Sequence, residues 1–422
     1  MRLDCVVFDA GGGHRAAATA LEQVIRQQQR PWQWRVWNLQ DLLDPLDPAR
    51  KLLGIRLEDL YNRLILQANF TLGSRHLLRV LHALIRLYHA PMVRRLSEHF
   101  LHERPDLLIS LIPHFNREIF EGLRRVHRDV PFVTLLTDLA DFPPHFWIER
   151  QPQYFICGTE RAVAQARELG HPPEALYRVS GMVLHPRFYE TPPVDRAAAR
   201  RQLGLDPALP TGLVLFGGHG SRVIGAVVER LDRSRLPVQL IVLCGQNQRL
   251  LETLRRRPAR IPVHLEGFTR DVPRFMQLAD FFIGKPGPGS ISEALAMKLP
   301  VIVSCNAWTM PQERYNAEWI RQHHLGLVLD SYRRVDQAVA ELLSSDNLER
   351  FRARAAQIEN RAVFEIPDVL ADIAKRGPEP SLSVRRAVAP DHDRRRVGPL
   401  PSSLRPLQPI SAARATSPMG FL

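Results

Sequence analysis

The sequence predicts an α/β protein with two Rossmann-type, parallel-sheet domains that face each other across a cleft. Three observations support this. Strand-like apolar runs alternate with helical stretches twice over, from residue 3 to 169 and again from 212 onward. Three of these strands run into glycine-rich loops that open helices. Between the two series lies a shift in composition, Ser180-Gly181 and then the Pro-rich stretch Leu184–Val194, which marks a linker. A length of 422 residues suits two domains.

The elements follow in order. Residues 3–8 (LDCVVF) read as a buried strand leading into Gly11-Gly12-Gly13-His14-Arg15 and an Ala-rich helix over 16–26. Residues 34–39 give a second strand, and 51–101 are helical and basic. Within the latter, Leu77, Leu78, Leu81, Leu84, Ile85 and Tyr88 recur at helical spacing, while Arg75, Arg79, His82, Arg86 and His89 occupy other positions. Pro91 is expected to break or kink this helix. Two readings stay open. Either the apolar stripe packs on its own domain, or the helix lies on anionic lipid, where each nearby basic residue contributes roughly 1 kcal/mol. Strands over 105–110, 131–136 and 153–157 follow, with Thr137-Asp138 ending the second and the aromatic loop 142–147 after it. A helix over 159–169 closes the first series.

The second series opens with the strand 212–216 and the loop Gly217-Gly218-His219-Gly220-Ser221. Strands at 239–244 and 263–265 precede Glu266-Gly267-Phe268 and a helix over 272–279. Phe281-Phe282-Ile283 then enters GKPGPGSISEALAMKLPVIV, in which Ser290 and Glu293 have the S-x-x-E spacing of a capping box. A glycine loop at a helix N-terminus offers unpaired N–H groups and a positive dipole end, which suit a phosphate. After the strand 301–303, Gln312-Glu313-Arg314 reads as a polar, hydroxyl-binding loop. An ordinary βα turn would account for the glycine loop equally simply. Residues 335–344 and 347–362 read as helices, and 377–422, rich in Pro, Arg and Ser, as a disordered basic tail.

Composition narrows the function. The net charge of +13 predicts an anionic partner: nucleic acid, a phospholipid surface or a phosphorylated ligand. No RNA-binding or helix-turn-helix signature singles out nucleic acid. The loop at Gly11–Arg15 has neither the GxGxxG spacing of a dinucleotide site nor the Lys-Ser/Thr of a P-loop. Cys5, Cys157, Cys244 and Cys305 are scattered without zinc-ligand spacing and read as buried thiols of a reducing cytoplasm. Asp4 and Asp9 interrupt any apolar leader, and no run is long enough to be expected to span a membrane.

Several motifs in order carry a resemblance. GGGHRAAATAL at 11–21, TDL at 137–139, FGGHGS at 216–221, EGF at 266–268, GKPGPGSISEALAMKLPVI at 284–302 and PQERYNA at 311–317 resemble the monogalactosyldiacylglycerol synthase and processive diacylglycerol glucosyltransferase family. That family is related to the lipid-linked N-acetylglucosaminyltransferase of peptidoglycan synthesis. The resemblance covers about residues 5–345. It implies a GT-B fold and inverting transfer of galactose or glucose from a UDP-hexose to a lipid acceptor such as diacylglycerol. The enzyme would sit on the inner, cytoplasmic face of an anionic membrane, with no resident cofactor or metal. Asp138 and Asp141 stand one residue too far apart for a DxD motif.

The family pattern implies an acceptor-side domain over 1–185, a linker over 186–210, a donor domain over 211–345, helices over 346–376 that return to the first domain, and the tail. It places Gly287, Gly289 and Ser290 on the diphosphate, Glu293 on the ribose and Phe268 at the uracil. Gly217, Gly218 and Gly220 would admit the nucleotide. Gln312 and Glu313 would bind the hexose, with Asn316 fixing their loop. On the acceptor side stand Gly12, Gly13, His145 and His14, with His14 or Asp138 taking the acceptor's proton. Two departures are visible. Phe142-Pro143-Pro144-His145 stands where plant synthases carry Cys-His-Pro, and Gly218-His219-Gly220 replaces Gly-Glu-Gly. Competing readings are an N-acetylglucosaminyl transferase on another lipid, a UDP-sugar 2-epimerase, and a basic nucleic-acid-binding protein.

Overall fold

The computed structural model describes residues 1–8, 13–46, 74–190 and 192–382, the side chains of 74–84 excepted. The first series forms β1 (Arg2–Val7), α1 (Gly13–Gln27), β2 (Gln33–Asn38), α2 (Leu39–Leu43), α3 (Ser74–His102), β3 (Leu107–Ser110), α4 (Asn116–Val126), β4 (Phe132–Leu135), β5 (Tyr154–Cys157), α5 (Glu160–Glu168) and β6 (Leu176–Arg178). The second forms α6 (Arg196–Gln202), β7 (Thr211–Leu215), α7 (Val223–Ser234), β8 (Gln239–Leu243), α8 (Gln248–Arg255), β9 (Val263–Glu266), α9 (Val272–Leu278), β10 (Phe281–Gly284), α10 (Pro288–Ala296), β11 (Val301–Ser304), α11 (Pro311–His323), β12 (Gly326–Leu329), α12 (Val335–Leu343) and α13 (Asn347–Ala356). Helix α14 (Ala362–Arg376) follows. All of these lie in one compact unit, Met1–Ser383.

Each series makes one parallel six-stranded sheet. The strand orders are β2-β1-β3-β4-β5-β6 and β12-β11-β10-β7-β8-β9. Helices cover both faces, so the central strands are mostly apolar; β3, β4, β5, β7, β8, β10 and β11 are buried at every position, with Ser110, Thr134, Thr211, Gln239 and Ser304 as buried polar residues at strand ends or within β4. The second sheet reverses direction between β7 and β10, and the first between β1 and β3. In open α/β sheets, ligands bind beyond the strand carboxyl ends at such reversals.

The chain crosses between domains twice. Leu184, Phe188, Ala199 and Leu205 all pack in the second core, so most of the stretch read as a linker belongs to that domain's packing. On the return, α13 stays with the second domain, with Ala355 in its core. The single helix expected over 347–362 is in fact α13 and the start of α14. Ala362, Val363, Ile366, Leu370 and Ile373 of α14 pack with Ala17, Leu21, Val24 and Ile25 of α1 in the first core. The two crossings touch: Asn360 Nδ2 donates to Met182 O at 2.9 Å and Arg361 N to Ser180 Oγ at 2.6 Å.

The tail begins later than its composition suggests. Residues 377–379 are placed against the first domain: Tyr154 Oη donates to Gly377 O at 3.2 Å, and the Glu379 carboxylate accepts from Arg124 and Phe132 N. Residues 383–422 lie outside the described residues.

Helix α3 runs through Pro91 without the break that was one of the two expected outcomes. The proline costs a backbone hydrogen bond, but Ile85, Met92, Leu96 and Phe100 are buried together in a core of the first domain and hold the helix across it. His89 does not sit on a free basic face. It bridges Glu118 Oε1 at 2.7 Å and Glu121 Oε2 at 2.9 Å on α4. Arg86 and Leu87 are exposed. The side chains of Arg75, Leu77, Leu78, Arg79, Leu81, His82 and Leu84 lie outside the described residues. Cys5, Cys157 and Cys244 are buried free thiols, and Cys305 is half-buried. Among the described residues no helix is long and apolar enough to cross a membrane.

Candidate active site

The first domain contributes one wall of the site. His14 stands in the first turn of α1 with Gly13; Gly11 and Gly12 lie outside the described residues. Its Nδ1 lies 3.2 Å from Thr137 Oγ1, just past β4. A proton on Nδ1 directed at that hydroxyl leaves the imidazole lone pair on Nε2, the arrangement a base needs. The ring centroids of His14 and Trp147 are 6.0 Å apart, and Trp147 Nε1 donates to Asp138 Oδ2 at 2.8 Å. Thus His14, Thr137, Asp138 and Trp147 form one cluster.

Its supporting loop is held by Asp141, which accepts from Trp147 N at 2.6 Å and His145 N at 2.9 Å. These bonds hold His145 in the left-handed region (φ 65°) with its side chain exposed. Burial pushes the Asp138 carboxyl up to about 7. The Trp147 bond and Lys285 oppose this shift, and Glu313 and Asp141 add to it. Asp138 is 9% exposed, and its group changes charge near neutral pH.

The second domain supplies the facing wall. A cavity of about 950 Å³ opens at the carboxyl ends of its strands, lined by Gly217, Gly218, Gly220, Lys285, Trp308 and Glu313 among others. Gly220 is needed there for two reasons: its φ is +70°, and a Cβ would stand 2.1 Å from Cys244 O. Tyr332 Oη donates to Gly284 O and accepts from Ser304 N at 3.1 Å, pinning the loop after β10. Asn316 Nδ2 donates to Pro286 O at 2.8 Å, so it fixes the Lys285-Pro286 turn rather than its own segment.

Two local expectations are corrected. The capping box does not form: α10 begins at Pro288 with Gly287 as its N-cap and no side-chain cap bond, so Ser290 lies inside the first turn. Proline at the first helical position starts the helix earlier than the S-x-x-E pattern suggests. Likewise Gln312-Glu313-Arg314 is not a loop but the first turn of α11, which opens with Pro311 and buries Glu313, Asn316, Ala317 and Ile320.

The sequence-derived donor residues fall into two groups. Around the cavity stand Gly217, Gly218, Gly220 and Glu313, with Gly287 beside them: a Cβ there would lie 3.6 Å from Glu313 Oε1. Gln312, next in the same turn, has its amide 3.6 Å from Met310 Sδ. Outside that cavity lie Phe268, 54% exposed, and Gly289, Ser290 and Glu293 on α10. Burial pushes the Glu293 carboxyl up to about 7, with Arg187 opposing. Arg187 in turn donates to Arg270 O at 2.8 Å, near Phe268.

Sequence reasoning passed over Trp147, Thr137, Lys285 and Arg187. Lys285 stood inside a quoted motif, but nothing local marked its partner: its Nζ meets Glu313 Oε1 at 2.8 Å from 28 residues away. The walls also touch directly, with Phe142 and Tyr315 ring centroids 5.5 Å apart. Among the described residues no group of three or more His, Cys, Asp or Glu side chains could hold a metal ion.

Two Rossmann-type domains closing on a cleft from their strand carboxyl ends define the GT-B fold. Residues 212–371 match the glycosyltransferase family 28 C-terminal domain. Over 381 residues the chain is 30% identical to the probable chloroplastic monogalactosyldiacylglycerol synthase 3 of Oryza sativa subsp. japonica, covering 86% of this chain and 72% of that protein. It is 28% identical over 404 residues to the probable synthase 2 of the same plant, covering 90% of this chain and 81% of that one. Among solved structures, MurG of Acinetobacter baumannii superposes with a TM-score of 0.54 at 13% identity, over 88% of this chain and 99% of that one. The chain belongs to the monogalactosyldiacylglycerol synthase family.

Proposed function

We propose that the protein transfers a hexose, galactose or glucose, from a UDP-sugar to a lipid hydroxyl such as that of diacylglycerol, with inversion at the anomeric carbon. The observation that carries this is the convergence of His14–Thr137 and Asp138–Trp147 with Lys285–Glu313 across one cleft, where Asp138 feels the charge of both second-domain groups. The names of the two rice relatives support the hexose and the acceptor. In this reading the uridine lies along Phe268 and Glu293, whose buried carboxyl would accept from ribose hydroxyls. The diphosphate lies between the Gly217–Gly220 loop and the first turn of α10 at Gly287–Ser290, where aligned peptide dipoles at the N-termini of α7 and α10 favour an anion. The hexose lies against Gln312 and Glu313.

The acceptor approaches from Gly13, His14 and His145. Its oxygen bonds to the anomeric carbon and its proton passes to His14 or Asp138. The bond from that carbon to the phosphoryl oxygen breaks, and its electron pair leaves with UDP. No resident cofactor or metal enters this reading. Arg86, Leu87 and the basic N-terminal half of α3 would rest on an anionic membrane, making the enzyme peripheral on its inner face.

The test is incubation of the full chain with radiolabelled UDP-galactose, UDP-glucose or UDP-N-acetylglucosamine and mixed lipid acceptors. Label appearing in a diacylglycerol-derived glycolipid is the expected result. Label passing only to another lipid would replace the acceptor. Interconversion of the free nucleotide sugar without transfer would indicate the epimerase reading.

A further inference from the structure

The reversal in the second sheet falls between β7 and β10, and Lys285 is the first residue after β10. Its side chain therefore rises where a crevice opens between two glycine loops. A Cβ on Gly287 would stand 3.2 Å from Lys285 Cε, and one on Gly217 3.8 Å from it. The lysine stem fills the gap that the missing side chains leave. Its ammonium meets Glu313 Oε1 at 2.8 Å, pairing a carboxyl side chain that is 7% exposed with a lysine side chain that is 35% exposed. A carboxylate so buried needs a partner. The ammonium carries three protons, and Glu313 is its one hydrogen-bond partner among the described residues. Both residues line the cavity, and the Asp138 carboxyl across the cleft feels both charges.

We propose that Lys285 is a further catalytic residue that changes partners during the reaction. In the empty site it neutralises Glu313. When a nucleoside diphosphate sugar enters, the ammonium turns to the diphosphate, and the released Glu313 carboxylate accepts from hexose hydroxyls instead. As the anomeric carbon–oxygen bond breaks, its electron pair collects on the diphosphate, where the Lys285 N–H groups hydrogen-bond the new charge. The acceptor's proton goes to the opposite wall, at His14 or Asp138. One lysine thereby couples diphosphate binding to hexose recognition. This rests on the nucleotide-sugar reading above.

The experiment is calorimetric titration of the full chain with uridine, UDP and UDP-galactose, for the unmutated protein and for Lys285→Met, Lys285→Arg and Glu313→Gln, each checked for folding by its melting curve. Lys285→Met is expected to weaken UDP binding roughly tenfold to hundredfold, the size of a lost charge-assisted bond, and to leave uridine binding unchanged. Lys285→Arg, which keeps the charge, retains most of the UDP affinity and guards against a folding artefact. Glu313→Gln is expected to bind UDP at least as tightly as the unmutated protein, because it frees the lysine, and to lose the added affinity for UDP-galactose. Unaltered UDP binding by Lys285→Met would overturn the proposal, as would Glu313→Gln weakening UDP as much as Lys285→Met does. If the unmutated protein binds neither UDP nor uridine, the nucleotide-sugar reading fails and the lysine proposal falls with it.

Discussion

Asp138→Asn should make the protein more stable at alkaline pH than at acid pH, relative to the unmutated chain. The Asp138 carboxyl is raised from 3.8 to about 7 by burial, against the Trp147 hydrogen bond. Between those two values the folded protein keeps a proton that the unfolded chain has lost. Stability therefore falls as pH rises through this window, by about 1.4 kcal/mol per unit. The fall levels off above the folded value, so between pH 5 and pH 8 the loss amounts to roughly 2.5 kcal/mol. Asparagine cannot ionise, yet its carbonyl can still accept from Trp147 Nε1, so the variant escapes this loss without leaving the indole unpaired. Other titrating groups are common to both proteins and largely cancel in the difference. Urea unfolding followed by tryptophan fluorescence at pH 5, 6.5 and 8 measures it. A stability difference that stays constant across the three would refute a neutral, buried Asp138 and remove it as a candidate base working near neutral pH.

Three further outcomes are expected. His14→Ala should reduce transfer by about a hundredfold or more while changing UDP affinity little, as loss of a base does; turnover equal to that of the unmutated enzyme would end its assignment. Asp280→Ala should cost about 3 kcal/mol or more by urea unfolding, because Asp280 accepts from Arg200 at 2.6 Å and Arg196 at 2.7 Å, and removing it leaves the buried Arg200 guanidinium with backbone carbonyls but no carboxylate to balance its charge; a cost below about 1 kcal/mol would contradict this. Replacing Arg75, Arg79 and Arg86 by Gln and trimming 383–422 should weaken sedimentation with vesicles of anionic lipid, and unaltered sedimentation would remove the membrane role of α3.

The sheets were legible because a strand buried on both faces is apolar along most of its length. Phe281-Phe282-Ile283 and Val301-Ile302-Val303 have few other homes. Strand β6, Leu176–Arg178, is only partly buried and carried no such run, whereas β12 carried the short run GLVL without being read as a strand. The start of α11 was misread for a related reason. Gln312, Glu313 and Arg314 are polar and look like a loop, but polar residues in the first turn of a helix can face a cavity while Ala317 and Ile320 anchor the next turns. Pro91 misled in the opposite direction, since tertiary burial on either side outweighed its local penalty.

The sequence alone determined the two-domain parallel architecture, the three glycine loops and the family, because periodicity and local backbone chemistry are written over a few consecutive residues. Pairings across tens or hundreds of positions were decided only by the tertiary structure. These include Lys285 with Glu313, His14 with Thr137, and the return of α14 to α1. The reason is physical. A carboxyl acquires its unusual proton affinity from burial and from charges brought near it, and neither exists until the sheets have reversed direction and the two domains have closed on one cleft.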